Sequence, residues 1–462
     1  MFVNAPPFSN EPNLLRITKG AVMDRRQFLK SSTTSAAVAT VLAGHPAAKA
    51  AASERVRVGV VGGGGRAFSL NCTFASNPNA EIVAIADLDS GRRDKAISEV
   101  TKRQGSEPAA EKDFRRLIDD YKLDALVVGT PDHWHAIPTI MACQAGIDVY
   151  VEKPDGHNIV EGQTMVAALK KHKRVVQMGS QHRTTERLIS ALDFIRTGAL
   201  GRCLVAKAWE STKQGPIGFP PDSDPPPGID YDFWLGAAPK RPFNRNRFHG
   251  RWRWFYDYGT GDLGNDGVHR LDMAVAALSA ACEAQGDPLP GLPRKIQASG
   301  GKWYFDDAQE FPDTLQVNYE YHSGEHRKLL TYEMRIWAPY SFHLNSEGAA
   351  VYGDKGYIII GNTGWSAYTT RNKLIKEVKG DSFEGPHVQN FLDCIKSRDK
   401  PACDLETVGH PASVLCHAGN IAARVGRQLI MDPVTETFEN DSEANALRTR
   451  PEYRKPWVLP NV

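Results

Sequence analysis

Cysteine is scarce in this chain: seven residues in 462, at positions 72, 143, 203, 282, 394, 403 and 416. They are scattered and odd in number, and no pair has zinc-finger spacing. That pattern excludes a metal-finger module and a disulfide-stapled scaffold. An excess of charge of either sign is also lacking. Lys plus Arg number 56 against 54 Asp plus Glu, a formal net charge of +2, so no electrostatic case exists for nucleic acid or an anionic membrane as partner. Beyond the N-terminus no apolar run is long enough to span a bilayer. What is present is ordinary for a folded protein. Hydrophobic residues make up 41%, enough for a substantial core, and the length suits two or three domains.

Residues 1–50 read as an address rather than a fold. "DRRQFLK" carries Arg25 and Arg26, "SSTTSAAVATVLAG" is mildly apolar, and "HPAAKA" offers Ala48-x-Ala50 for cleavage. A positive segment, a short apolar segment and small residues make a secretory signal, and the paired arginines resemble the twin-arginine type. Met23 directly precedes the motif, so residues 1–22 read as a long lead or a start placed too early. The expected partner is the twin-arginine export machinery and the expected location periplasmic. That route is understood to carry folded proteins, which raises the expectation of a cofactor inserted beforehand.

Residues 51–182 read as a dinucleotide-binding unit. Val56 to Val61, "VRVGVV", is a β-branched strand followed at once by Gly62-x-Gly64-x-x-Ala67 and a helix. Such glycines permit a tight turn and close backbone approach to a pyrophosphate at the helix N-terminus. Gly65 and Arg66 lie inside the motif. The next strand, "AEIVAIADLD", ends in Asp87 at the position where an acid bonds the ribose hydroxyls, which favours NAD; Arg92 and Arg93 keep NADP open. Strand and helix then alternate through "KLDALVVGTP", "IDVYVEKP" and "RVVQMGSQ", the pattern of a parallel sheet covered on both faces. Ligands of such sheets bind outside the carboxyl ends of the strands, where Thr130, Pro131, His135, Glu152, Lys153 and Gln181 fall. Lys153, at the end of an apolar strand, is expected to face that crevice rather than the core. In "TPDHWH", Asp132, His133 and His135 cluster, but histidines two apart do not share a helix face and Asp132 reads as an N-cap, so no metal is expected.

From residue 183 to about 430 the rhythm changes. Proline-rich "GPIGFPPDSDPPPGID" is loop, while "DTLQVNYEYHS", "RKLLTYEMRIWA" and "GAAVYGDKGYIII" read as antiparallel strands, the signature of an α+β domain with an open sheet. Two later helices, "HVQNFLDCIKSR" and "ASVLCHAGNIAARVGRQLI", are expected to return to the first domain, and residues 431–462 form a tail. In "GTGDLGNDGVHRLDMAVAAL" a helix is expected from about Asp266. Asn265 and Asp266 precede His269 by four and three positions, on one helical face, the arrangement of an oriented general base. Trp209, Arg253 and Asp272 are candidate sugar contacts.

Together these pieces resemble the Gfo/Idh/MocA oxidoreductases, which include glucose–fructose oxidoreductase and inositol dehydrogenase. The resemblance rests on the glycine-rich strand turn, "EKP", and "G-x-x-G-x-H-x-x-D" about 110 residues later, and it spans residues 55 to 430. It implies that Lys153 stabilises a developing alkoxide and that His269 accepts the hydroxyl proton. The family often has aspartate four residues before that histidine, where this chain has Asn265. The implied activity is NAD(P)-dependent hydride transfer between a sugar, polyol or glycoside and a tightly held cofactor, in a homo-oligomer of two or four copies. The alternatives are glycoside cleavage by oxidation, elimination and re-reduction, and non-catalytic binding of sugar or NAD.

Overall fold

A computed structural model describes residues 54–323, 326–380 and 384–462. The expected export signal lies outside the described residues.

Six parallel strands form the first sheet: β1 (Val56–Val61), β2 (Ala80–Ala86), β3 (Ala109–Glu111), β4 (Ala125–Val128), β5 (Asp148–Val151) and β6 (Val176–Met178). Their order is β3-β2-β1-β4-β5-β6, and every pairing is parallel. The β4 sequence "ALVV" and the β5 sequence "DVYV" are buried at every position, as strands covered on both faces require. The chain order reverses between β1 and β4, which opens a crevice at their carboxyl ends.

Nine strands form the second sheet: β7 (Cys203–Ser211), β8 (Lys295–Gly301), β9 (Thr314–Ser323), β10 (His326–Arg335), β11 (Glu347–Gly353), β12 (Gly356–Gly361), β13 (Gly364–Thr369), β14 (Leu374–Lys379) and β15 (Leu429–Ile430). The order is β14-β13-β12-β11-β7-β10-β9-β8-β15. All pairings are antiparallel except β7 with β10. The helix Val268–Ala284 packs across β7 and β11, and His410–Val425 packs on β8. Val388, Phe391 and Leu392 of the helix Gly385–Ser397 join the core of the first sheet, where Phe391 meets Phe74 and Tyr150 edge-on.

The loop after β5 is pinned from several sides. Asp155 accepts from His410 Nδ1 at 2.6 Å, and its backbone N–H donates to Ser413 Oγ at 3.0 Å. Asn158 and Glu161 then cap the next helix reciprocally, the amide oxygen taking the Glu161 N–H at 3.0 Å and the amide nitrogen donating to Glu161 Oε1 at 3.0 Å. Lys153 is thereby held at a fixed exit from the sheet.

Candidate active site

At the crevice, Gly62 has φ 120° and an added Cβ would come within 2.8 Å of Ala67 and 3.1 Å of the Gly129 carbonyl. Only glycine fits that turn. The following helix, Gly65–Ser76, has no side-chain cap, so its first N–H groups face the crevice unsatisfied. Asp87 accepts the Gly63 N–H at 2.6 Å and the Asp89 N–H at 2.8 Å. Burial pushes its carboxyl up, and those donors together with Arg92 counteract.

A cleft open to solvent lies above this turn. Gly62, Gly64, Gly65, Arg66, Asp87, Thr130 and Pro131 form its floor, and the buried Thr130 hydroxyl has no partner. Its roof was not legible in the sequence: Phe233, Trp234, Phe248, Trp252 and Arg253, all from the segment after the proline-rich loop. Two polar ties cross the cleft, Lys112 to Asp230 at 2.9 Å and His249 to Asp89 at 2.9 Å. Aromatic walls, a free helix N-terminus and an acid at the end of β2 all fit a dinucleotide.

Other expected cofactor contacts lie outside the cleft. Ala67 is fully buried beneath the turn, where it packs helix against strand. His135 is buried with its ring nitrogens against the Pro154 and Thr130 carbonyls at 2.6 and 2.9 Å. Glu152 is buried and accepts from Arg66 at 2.9 Å. The amide oxygen of Gln181 is buried without a partner. Arg92 lines the cleft, whereas Arg93 turns to its neighbour Asp94 at 2.9 Å. Asp132 does not cap a helix; it accepts from the Thr260 hydroxyl at 2.7 Å and so ties the two halves.

Lys153 lies near enough to His269 for its charge to act on the ring, and the supports of both differ from those expected. The Lys153 ammonium donates to the Asn265 carbonyl and, at 3.1 Å, to Asn265 Oδ1. The expected helical face does not form, because Leu263–Gly267 is a π-helical turn and the regular helix starts at Val268. The wider turn swings Asn265 to Lys153. Asp266 accepts from Asn265 Nδ2 at 3.0 Å. His269 Nδ1 is buried without a partner, so neither residue orients the ring there. Its ring stands edge-on to His182 at 5.3 Å. Burial, then the nearby Lys153 charge, holds His269 well below the usual histidine range. It is a neutral imidazole able to accept a proton.

Two expected sugar contacts are structural instead. Trp209 lies on the opposite face of the second sheet, against Phe342, and donates to the Asn345 carbonyl at 3.1 Å. Asp272 is buried and staples Ser180 and Arg183 at 2.7 and 2.9 Å. Arg253 belongs to the cofactor roof. A third group was missed: Glu210, Asp262 and Asp266 converge beside Asn265, each offering an oxygen within 4.8 Å of the others. Burial pushes Asp262 up to about 7 and Glu210 well above the carboxylate range.

A family model described as an oxidoreductase family with an NAD-binding Rossmann fold matches residues 56–180. Its companion, the C-terminal alpha/beta domain of the same family, matches residues 205–282 and 349–459. Levoglucosan dehydrogenase of Pseudarthrobacter phenanthrenivorans is 28% identical over 255 residues, 54% of this chain and 57% of that protein. The alpha-N-acetylgalactosaminidase of Shewanella oneidensis is 29% identical over 160 residues, 34% of this chain and 35% of that protein. The chain thus spans about half the length, or less, of the curated relatives it matches. Among solved structures, levoglucosan dehydrogenase in complex with NADH and levoglucosan superposes with a TM-score of 0.61 at 18% identity, covering 81% of this chain and 99% of that one. The WlbA dehydrogenase of Bordetella pertussis, with NADH and UDP-GlcNAcA, gives 0.60 at 19%, covering 82% and 99%. At such identities these two likenesses speak for the fold alone.

Proposed function

Since the chain belongs to the Gfo/Idh/MocA oxidoreductases, with an NAD-binding Rossmann domain, we propose that it oxidises a hydroxyl-bearing carbon of a sugar, polyol or glycoside. The observation that carries this is the placement of Lys153 at the exit of β5, close enough to His269 for its charge to depress the imidazole. An ammonium that already donates to two oxygens of Asn265 is oriented to stabilise a developing alkoxide. Neutral His269 takes the hydroxyl proton as the carbonyl forms. When bound in the cleft, NAD supplies the carbon that accepts the hydride. The sugar class draws support from levoglucosan dehydrogenase among the relatives. The test is nicotinamide reduction with a panel of sugars, polyols and glycosides. Reduction with sugar alcohols or glycosides supports the reading, and none with any member of the panel overturns it.

A second reading, redox-neutral glycoside cleavage, draws support from the alpha-N-acetylgalactosaminidase relative. Oxidising a ring hydroxyl acidifies the adjacent C–H, elimination breaks the glycosidic bond, and reduction restores the alcohol. Release of an aglycone without net change in the nicotinamide would single it out.

Two further features belong to the proposal. Arg25, Arg26 and the cleavage-like Ala48-x-Ala50 support twin-arginine export to the periplasm. The outer face of the second sheet carries Tyr352, Tyr357 and Tyr368, the last two stacked at 5.2 Å, which supports pairing between copies of the chain.

A further inference from the structure

We propose that Glu210, Asp262 and Asp266 hold one hard divalent cation, of the magnesium, manganese or calcium class, beside Lys153. Glu210 is the penultimate residue of β7, Asp262 sits at the N-cap of the π-helical turn and Asp266 lies within it. One oxygen from each lies within 4.8 Å of the others, a span that a single ion bridges. Glu210 and Asp262 are each only 1% exposed. Among the described residues, both oxygens of Glu210 and one of Asp262 take no N–H or hydroxyl donor, and the two carboxyls lie within hydrogen-bond reach of one another.

The donors that do reach the cluster are neutral amides: Gln214 Nε2 to Asp262 at 3.3 Å and Asn265 Nδ2 to Asp266 at 3.0 Å. The neighbouring Arg270 commits to Glu347 at 2.6 Å, and Arg183 to Asp272. A buried carboxylate needs a counter-charge or a proton. Three together, with no direct cationic partner among the described residues, are the donor set of an oxygen-ligated ion.

A separate observation points to the same space. The fully buried Tyr332 hydroxyl also has no partner. It stands against Gly267, where an added Cβ would come within 2.5 Å of it, and it lies within electrostatic reach of Glu210 and Asp262. Four orphaned oxygens, two of Glu210, one of Asp262 and that of Tyr332, therefore lie within electrostatic reach of one another. Asp266 is only partly buried, which leaves a side open for water ligands.

The ion is a positioning group. It fixes the turn that presents Asn265 to the Lys153 ammonium, and no step of hydride transfer runs through it. The site does not depend on which sugar is oxidised.

The full-length protein, stripped with chelator and free of sugar, is titrated with Mn²⁺ by electron paramagnetic resonance and with Ca²⁺ by calorimetry. The expected result is a single stoichiometric site, weakened ~10-fold or more in Asp262→Asn and in Asp266→Asn. Ca²⁺ should raise the melting temperature of the wild type and not of Asp262→Asn. Asp266→Asn alters a partly exposed residue and guards against misreading a folding defect in Asp262→Asn. If the stripped wild type takes up neither ion stoichiometrically, or both variants bind as it does, the carboxylates share protons instead and the proposal falls.

Discussion

Single residues divide the chemistry sharply. Lys153→Ala should lower turnover by about 10²–10⁴-fold while nucleotide binding persists, because the ammonium acts on the reacting oxygen and lies off the cleft floor. Near-normal turnover in that variant would remove Lys153 from the mechanism. His269 makes a directional prediction. Burial and Lys153 lower its pKa, so it stays neutral, and able to accept a proton, to pH values below the ordinary ~6.5. The acid limb of kcat/KM should therefore fall below that value, and the deficit of His269→Ala should shrink as rising hydroxide substitutes for the base. An acid limb at or above ~6.5 would assign the proton to another group. Lys153 and His269 stand out in the sequence because each sits in a short, recognisable phrase. Glu210 was not, since it joins its partners only through the pairing of distant strands. Trp209 and Asp272 were misjudged for a related reason: a sequence does not reveal which face of a strand or helix meets the substrate.

At the level of elements, the first sheet was legible because continuous apolar strands alternate with helices, and β1 begins and ends where the sequence placed it. The π-helical turn at Leu263–Gly267 was not, for its glycines and acids also suit an ordinary helix start. Its extra residue per turn undoes any argument from three- and four-residue spacing. The glycine turn after β1 allows a direct test. Gly62→Ala forces an L side chain into φ 120° and against Ala67 and Gly129. It should cost about 1–3 kcal/mol of stability and weaken NAD binding. Calorimetric titration with NAD and thermal unfolding measure both. Unchanged affinity would mean that the turn does not shape the cofactor site.

Over the whole molecule, protonation couples many buried imidazoles to stability. Burial lowers His133 to about 3 and His249, His387 and His417 to about 4, with His157, His182 and His269 also well below the ordinary value. The unfolded chain protonates these groups near pH ~6.5 while the folded chain does not, so stability should fall as pH drops below ~6.5. His410 has the opposite sign. Burial alone would lower it, but Asp155 and Glu436 against its two ring nitrogens raise it to about 10. Its contribution is complete below ~6.5 and is lost as pH rises towards about 10. Melting temperatures taken between about pH 8 and 5 should therefore decline on the acid side, and a flat profile there would contradict the burial of these rings. The roofed cleft carries another prediction. Protein purified without added nucleotide should retain NAD(H), and removing the two ties with Lys112→Ala and His249→Ala should speed its loss. Nucleotide-free protein after simple dialysis would show that the roof does not retain it.

The helix Gly385–Ser397 has a consequence for synthesis. It closes one face of the first sheet, yet it leaves the ribosome long after β6. Until then Phe74 of the helix Gly65–Ser76 and Tyr150 of β5 lack their Phe391 neighbour. The core of the dinucleotide half is therefore completed only after the second half has been made, and an interrupted translation product would expose apolar surface.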